Sequence, residues 1–203
     1  MSLLIQKIQK EMIKIKRVAI FIDHSNVLHH LINLRKNDLN WPRWYNPLLL
    51  AIKLSGNRNL VGVFFYCAPP PSYLLNGTEL DKKKYWKQLS YYESIKKLSL
   101  VNLKLARTVG IKAKVHEKNL DTQLSVDMPS LAVKNVYDVA ILIANDGDYA
   151  DAVTEVKNLG KKVELACFRK ECSMNLRKAC DISRRLRISY FETLNFSIKN
   201  TLK

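Results

Sequence analysis

The sequence predicts an α/β fold, three layers with a mostly parallel central sheet between helices, and three observations carry that prediction. Near-continuous apolar runs at residues 17–22 (RVAIFI), 60–67 (LVGVFFYC) and 137–144 (YDVAILIA) read as strands buried on both faces. Segments with helical spacing of apolar residues separate them, so strand and helix alternate along the chain. Two of the runs end directly in acidic loops, Asp23-His24-Ser25-Asn26 and Asn145-Asp146-Gly147-Asp148.

Taken in order, residues 2–15 place Leu4, Ile5, Ile8, Met12 and Ile15 at three- and four-residue spacing, which predicts an amphipathic helix. This extension, residues 1–16, precedes a single domain over 17–195 and a tail at 196–203. Its helix can pack on the domain or pair with a second copy into a homodimer, and spacing alone leaves both open. After the first strand, Val27, Leu28, Leu31, Ile32 and Leu34 mark a helix, with N-cap chemistry at Ser25 and Asn26. Trp41-Pro42 ends it, and residues 47–54 form another, closed by Ser55-Gly56-Asn57.

Three consecutive prolines within 68–77 demand an extended loop, and 81–98 is a highly charged helix. Residues 101–108 and 111–116 are expected to pair as strands around Val109-Gly110. A helix follows over 120–133, which Pro129 should bend or bound. Beyond the third apolar run, a helix carries Tyr149, Val153 and Val156 to a C-cap at Gly160. A strand at 162–168, a short helix at 174–182 and a last strand at 188–191 complete the pattern.

Thirty-four Lys and Arg stand against 18 Asp and Glu in 203 residues, a net charge of +16. Charge of that size speaks to partners rather than fold, and it concentrates polyanions, nucleic acid above all, around the molecule. The plainer alternative is a solubility device. Cys67, Cys167, Cys172 and Cys180 form no C-x-x-C pair, which argues against a zinc site and a secreted disulfide framework. Their pattern points to a reducing, cytoplasmic setting, with a Cys172–Cys180 link left open. The longest apolar runs fall far short of the roughly 20 residues that span a bilayer, and Lys7, Lys10 and Lys14 interrupt any export-type segment. No membrane role is expected.

In an open parallel sheet, ligands bind beyond the carboxyl ends of the strands, where Asp23 and Asp146 fall. Gly147 allows the tight or positive-φ turn that brings Asp146 near Asp148. Between these segments, Asp121 and Asp127 are six residues apart, a little under two helical turns, and share roughly one side of their helix. Carboxylates crowded into one site repel unless a proton or cation intervenes. A hard divalent ion, Mg²⁺ or Mn²⁺, prefers such oxygen ligands and can activate water against a phosphodiester. Each signal also has a plainer meaning: an Asp after a strand caps a helix, Asp-Gly-Asp makes a solvated turn, and Asp121 with Asp127 forms an exposed face.

These residues resemble a family. Phe21-Ile22-Asp23-His24-Ser25-Asn26 is similar to the amino-terminal motif of NYN domains of the LabA-like group. Lys118-Asn119-Leu120-Asp121 with Asp127 resembles their K-x-x-D…D segment, and residues 138–149 resemble their D-x-A-I-L-x-S-G-D-S-D-F stretch. The resemblance spans residues 17–168 with the motifs in order. It implies a PIN-like α/β/α fold and metal-dependent ribonuclease activity, with Asp23, Asp121, Asp146 and Asp148 as metal ligands or their supports. Asp127 would be a fifth, and Asn26 would orient Asp23, a water or a phosphate. Two departures stand out: His24 where a small residue is usual, expected here as a solvent-facing loop residue, and Asn145 in place of a common glycine.

The helix at 81–98 mixes Lys82, Lys83, Lys84 and Lys87 with Tyr85, Trp86, Tyr91 and Tyr92. Cations hold phosphates and aromatic faces stack unpaired bases, which favours single-stranded RNA as partner. Tyr85, Leu89 and Tyr92 also share one helical face and fit a core equally well. Arg184 and Arg185 anchor a second basic cluster, and Lys157, Lys161 and Lys162 a third. The expected function is therefore a metal-dependent endoribonuclease; the alternative is a non-catalytic RNA-binding or regulatory module on the same fold. A haloacid-dehalogenase-type phosphatase would need D-x-D where Ser25 now stands, and no G-x-G-x-x-G or Walker pattern supports a nucleotide-binding enzyme.

Overall fold

The computed structural model describes residues 15–109, 116–118, 120–168 and 170–191. Apart from Ile15 and Lys16, the amino-terminal helix expected over 1–16 lies outside the described residues, as does the tail at 196–203. The same holds for most of the strand expected at 111–116.

Six parallel strands form the central sheet. β1 (Arg17–Asp23) is followed by α1 (His24–Asn37), α2 (Pro47–Ser55), β2 (Asn59–Cys67), α3 (Glu79–Lys96) and β3 (Val101–Leu105). A small antiparallel ribbon, β4 (Arg107–Val109) with β5 (His116–Lys118), leads into α4 (Leu120–Val133). Then come β6 (Val139–Ile143), α5 (Ala150–Asn158), β7 (Lys162–Cys167), α6 (Met174–Ala179) and β8 (Ile182–Arg185). The sheet order is β3-β2-β1-β6-β7-β8. The chain leaves β1 toward one edge and returns through β6 toward the other, which opens a crevice at the carboxyl ends of β1 and β6.

The period-two pleat of β1 divides the core. Val18, Ile20 and Ile22 join Val27, Leu31, Leu50, Leu54 and Tyr91 from α1, α2 and α3 on one face. Ala19 and Phe21 join Leu124, Met128, Val153, Val156 and Leu176 from α4, α5 and α6 on the other. Asp23 continues the second parity, so it leaves the sheet on the α4 and α5 side. Pro129 sits inside α4 without ending it, because buried Met128 and Ala132 anchor the helix on both sides of the lost hydrogen bond. Gly160, at φ +74°, turns the chain from α5 into β7 as expected of a helix stop.

Three local expectations are corrected. The N-cap of α1 is Asp23 itself, whose side chain accepts from the Asn26 backbone N–H, so Ser25 and Asn26 belong to the first turn. The last strand is residues 182–185, not 188–191. Ile182–Arg185 pairs in parallel with Glu164–Cys167, whereas Ile188–Tyr190 is a 3-10 turn. Finally, the strand expected over 101–108 breaks at Ala106: β3 joins the main sheet and β4 starts the separate ribbon. All four cysteines are buried, and Cys172 and Cys180 are not joined by a disulfide. Among the described residues no helix is long and apolar enough to cross a membrane.

Candidate active site

Asp23 ends β1 only 4 % exposed. Its Oδ1 accepts from the Asn26 backbone N–H at 3.0 Å, which fixes the carboxylate at the start of α1. Its Oδ2 lies 2.8 Å from the hydroxyl of Tyr149, a fully buried side chain that follows the Asp146-Gly147-Asp148 turn. The same hydroxyl lies 2.8 Å from Oδ1 of Asp121, in the first turn of α4. Two carboxylates 98 residues apart in sequence thus meet over one oxygen. A phenol has a single proton to donate, so Tyr149 can donate to only one of the two carboxylates at a time. Burial, and then the charges of Asp23 and Asp121, push the Tyr149 hydroxyl far above its ordinary pKa, so it stays protonated.

The turn after β6 is tied down from three sides. The Asn26 side-chain oxygen accepts from the Asn145 backbone N–H at 3.0 Å, joining α1 to this turn. The buried Asn145 side chain accepts from Phe168 N–H at 2.9 Å and donates to the Phe168 carbonyl at 3.1 Å, stapling the ends of β6 and β7. The Ser173 N–H donates to the Asn145 carbonyl at 2.9 Å. Gly147 sits in the expected tight turn without a positive φ, and a Cβ there would stand 2.7 Å from Ser173 Oγ, which would have to shift. Asp146 and Asp148 are exposed, and Asp146 Oδ1 accepts from the Asp148 N–H at 3.2 Å. Beside the turn opens a cavity of about 390 Å³ lined by Asn26, His30, Asp146 and Glu171, among others.

A family model for the NYN domain matches residues 17–186. The chain belongs to the NYN domain family. This is a PIN-like family of nuclease type. No curated protein matches significantly. Among solved structures, a Vibrio parahaemolyticus protein of unknown function is similar with a TM-score of 0.63 at 15% identity, covering 89% of this chain and 98% of its own. That likeness shows the fold alone.

In this NYN domain the sequence-derived acidic residues separate into three groups. Asp23 and Asp121 converge through Tyr149. Asp146 and Asp148 occupy the neighbouring turn, joined to them through Asn26. Asp127 stands apart: it accepts from the Tyr66 hydroxyl at 3.0 Å, and Lys104 Nζ lies 3.6 Å away. Tyr66 is the register partner of Asp23 across β1 and β2, so Asp127 borders the same sheet edge while already facing a cation.

Among the described residues no group of three or more His, Cys, Asp or Glu side chains is placed to hold a metal ion. The Asp23–Asp121 pair nevertheless suits an octahedral ion such as Mg²⁺, which takes one or two carboxylates and keeps several waters. All of its donors are hard oxygens.

His24 is not the expected solvent-facing residue. It is 1 % exposed, packed against Phe65, Tyr45 and Tyr91, with Nδ1 3.2 Å from the Tyr45 hydroxyl. Burial pushes its pKa down to about 3, so it is neutral at physiological pH and cannot serve as a phosphate-binding cation.

The basic residues also differ in availability. Lys82 pairs with Glu79 at 2.8 Å and Lys84 with Asp81 at 2.9 Å within α3, while Lys83 and Lys87 are exposed. Tyr91 and Tyr92 are core residues, whereas Trp86 is 56% exposed with Tyr85 packed against it. Arg184 holds Glu164 at 3.0 Å, and Arg185 is exposed on the β8 edge.

Sequence reasoning missed Tyr149 as a site residue. Its signal was present: a tyrosine stands where the family's D-S-D-F motif carries phenylalanine.

Proposed function

We propose that this NYN domain is a metal-dependent endoribonuclease acting on single-stranded RNA, with Asp23 and Asp121 as the carboxylates that hold Mg²⁺ or Mn²⁺. The observation that carries this reading is the single Tyr149 proton offered to two carboxylates. That arrangement gathers two hard-oxygen carboxylates at the sheet's switch point, where a divalent cation would take them as ligands. Such an ion, when bound, supplies an activated water and stabilises charge on the leaving oxygen of a phosphodiester.

The chain's own residues would do the rest. Asn26 fixes Asp23 through its backbone and fixes the Asp146 turn through its side chain. Asp146, lining the cavity, and exposed Asp148 beside it in the same turn would orient water and the ion's outer shell. Exposed Trp86, flanked in sequence by Lys83 and Lys87, offers a stacking face and phosphate contacts suited to an unpaired strand.

The test is cleavage of a single-stranded RNA with Mn²⁺, comparing wild type with Asp23→Asn and Asp146→Asn. Loss of cleavage in both variants supports the reading; activity that survives in both points to a contaminating nuclease. The rival, an RNA-binding module without turnover, draws on the lack of a three-ligand cluster among the described residues. It predicts salt-sensitive RNA binding with no metal-dependent cleavage at all.

A further inference from the structure

The carboxyl end of β8 carries a second feature, opposite in charge to the first. Lys53 of α2 and Arg184, Arg185 and Arg187 from β8 and the segment after it line a cavity of about 600 Å³, completed by Ser189 and Tyr190. Two of these cations are held in place. Arg184 pairs with Glu164, whose carboxylate is also gripped by both terminal nitrogens of Arg58. Lys53 Nζ donates to the Ser189 carbonyl and lies 5.6 Å from the Tyr190 ring centroid.

Among the described residues, every ion pair made by Lys53, Arg58, Arg184, Arg185 and Arg187 goes to Glu164. Glu164 thus meets Arg58 and Arg184, while Lys53, Arg185 and Arg187 bring three further cations to the cavity lining. Like charges gathered at a concave surface raise the local potential and the local concentration of anions. Fixed guanidinium groups suit phosphate oxygens in particular, because their planar forks match that geometry.

We infer that this cavity is a phosphate-binding subsite for the RNA strand, separate from the Asp23–Asp121 centre. The identification of the strand as RNA rests on the nuclease reading; the affinity for phosphate does not. Position supports it. All six strands run parallel, so Arg185 ends β8 at the same sheet edge where Asp23 ends β1. Only β6 and β7 intervene, which sets the carboxyl ends of β1 and β8 three strand spacings, or roughly 14 Å, apart across the sheet. Lys53 belongs to α2, on the face opposite to the one on which Asp23 leaves, so a strand joining the two sites would cross that sheet edge. The cavity reads phosphate rather than base, so it positions the strand without choosing its sequence.

The experiment measures binding of a short single-stranded RNA in EDTA across a range of salt, so that cleavage plays no part. Wild type is compared with Arg185→Glu/Arg187→Glu, and with Arg185→Gln/Arg187→Gln should charge reversal disturb folding by circular dichroism. The control is Lys16→Glu/Lys134→Glu, at the opposite, amino-terminal edge of the sheet. The glutamate pair in the cavity is expected to weaken binding about tenfold or more, and to lower the log–log salt slope by about 0.7 for each phosphate that is no longer neutralised. The control is expected to weaken binding by less than about threefold, since it removes only diffuse attraction.

Comparing RNA with a 5′-phosphate and a 5′-hydroxyl separates the two sources of the phosphate. A preference for the 5′-phosphate that the cavity variants abolish assigns a terminal monoester; equal weakening with both RNAs assigns an internal phosphodiester. Unchanged binding in the cavity variants, or an equal weakening in the control, overturns the subsite. Cavity-dependent binding by a wild type that never cleaves RNA would sink the nuclease reading and leave the subsite standing.

Discussion

The two ends of β1 solve the same electrostatic problem in opposite ways. At its amino end, Arg17 meets Asp138 through three hydrogen bonds: Nη2 to Oδ1 at 2.8 Å, Nε to Oδ2 at 3.2 Å and its own backbone N–H to Oδ2 at 2.9 Å. A guanidinium and a carboxylate cancel, and Arg17 holds the Asp138 carboxyl down to about 2. At the carboxyl end, Asp23 faces a second carboxylate across a shared phenol. The first end is organised for stability. The second brings two carboxylates to one hydroxyl at the switch point of the sheet, where ligands bind.

The comparison breaks most sharply at the acidic end. Asp23→Asn and Asp121→Asn should each lower Mn²⁺-dependent RNA cleavage by about 100-fold or more, because each removes a charge aimed at the reacting centre. Circular dichroism should show the fold retained in both.

Tyr149→Phe tests the shared proton. Without the hydroxyl, the two carboxylates face each other directly, so Mg²⁺ should raise the melting temperature more in this variant than in wild type. An unchanged metal-induced shift would mean that the phenol does not mediate between the two anions.

Asn145→Ala is predicted to cost about 2 kcal/mol in chemical denaturation, since it strips both buried hydrogen bonds from the Phe168 backbone. The smallest effect belongs to the amino end. Asp138→Asn should lower the melting temperature by a few degrees at pH 7. The Asp138 carboxyl is depressed in the folded state, so its contribution is complete above its unfolded pKa, near 4, and fades as pH falls toward 2. The gap between variant and wild type should close over that window.

Most of the sheet was legible in the sequence, because strands buried on both faces must be apolar throughout, as residues 18–22 and 139–143 are. β8 was not, since Ile182-Ser183-Arg184-Arg185 is a short, polar edge strand. The stretch at 188–191 is more apolar and fits a strand pattern better, yet it forms a 3-10 turn.

The carboxylates of the site were legible as residues and as members of a motif, but their grouping was not. Asp127 shares a helix with Asp121, yet its partner is Lys104 on β3, a pairing that only the sheet order reveals. His24 likewise looks like a loop residue until Tyr45, Phe65 and Tyr91, from three other parts of the chain, close around it. Tyr149 reads as one more apolar helix position, because a pattern of hydrophobicity does not register where a hydroxyl points.

The most direct measurement is an anomalous difference map from a crystal soaked in Mn²⁺. The account predicts a peak within coordination distance of carboxylate oxygens from both Asp23 and Asp121. A map with no peak there, or with an ion bound only elsewhere on the molecule, would contradict it.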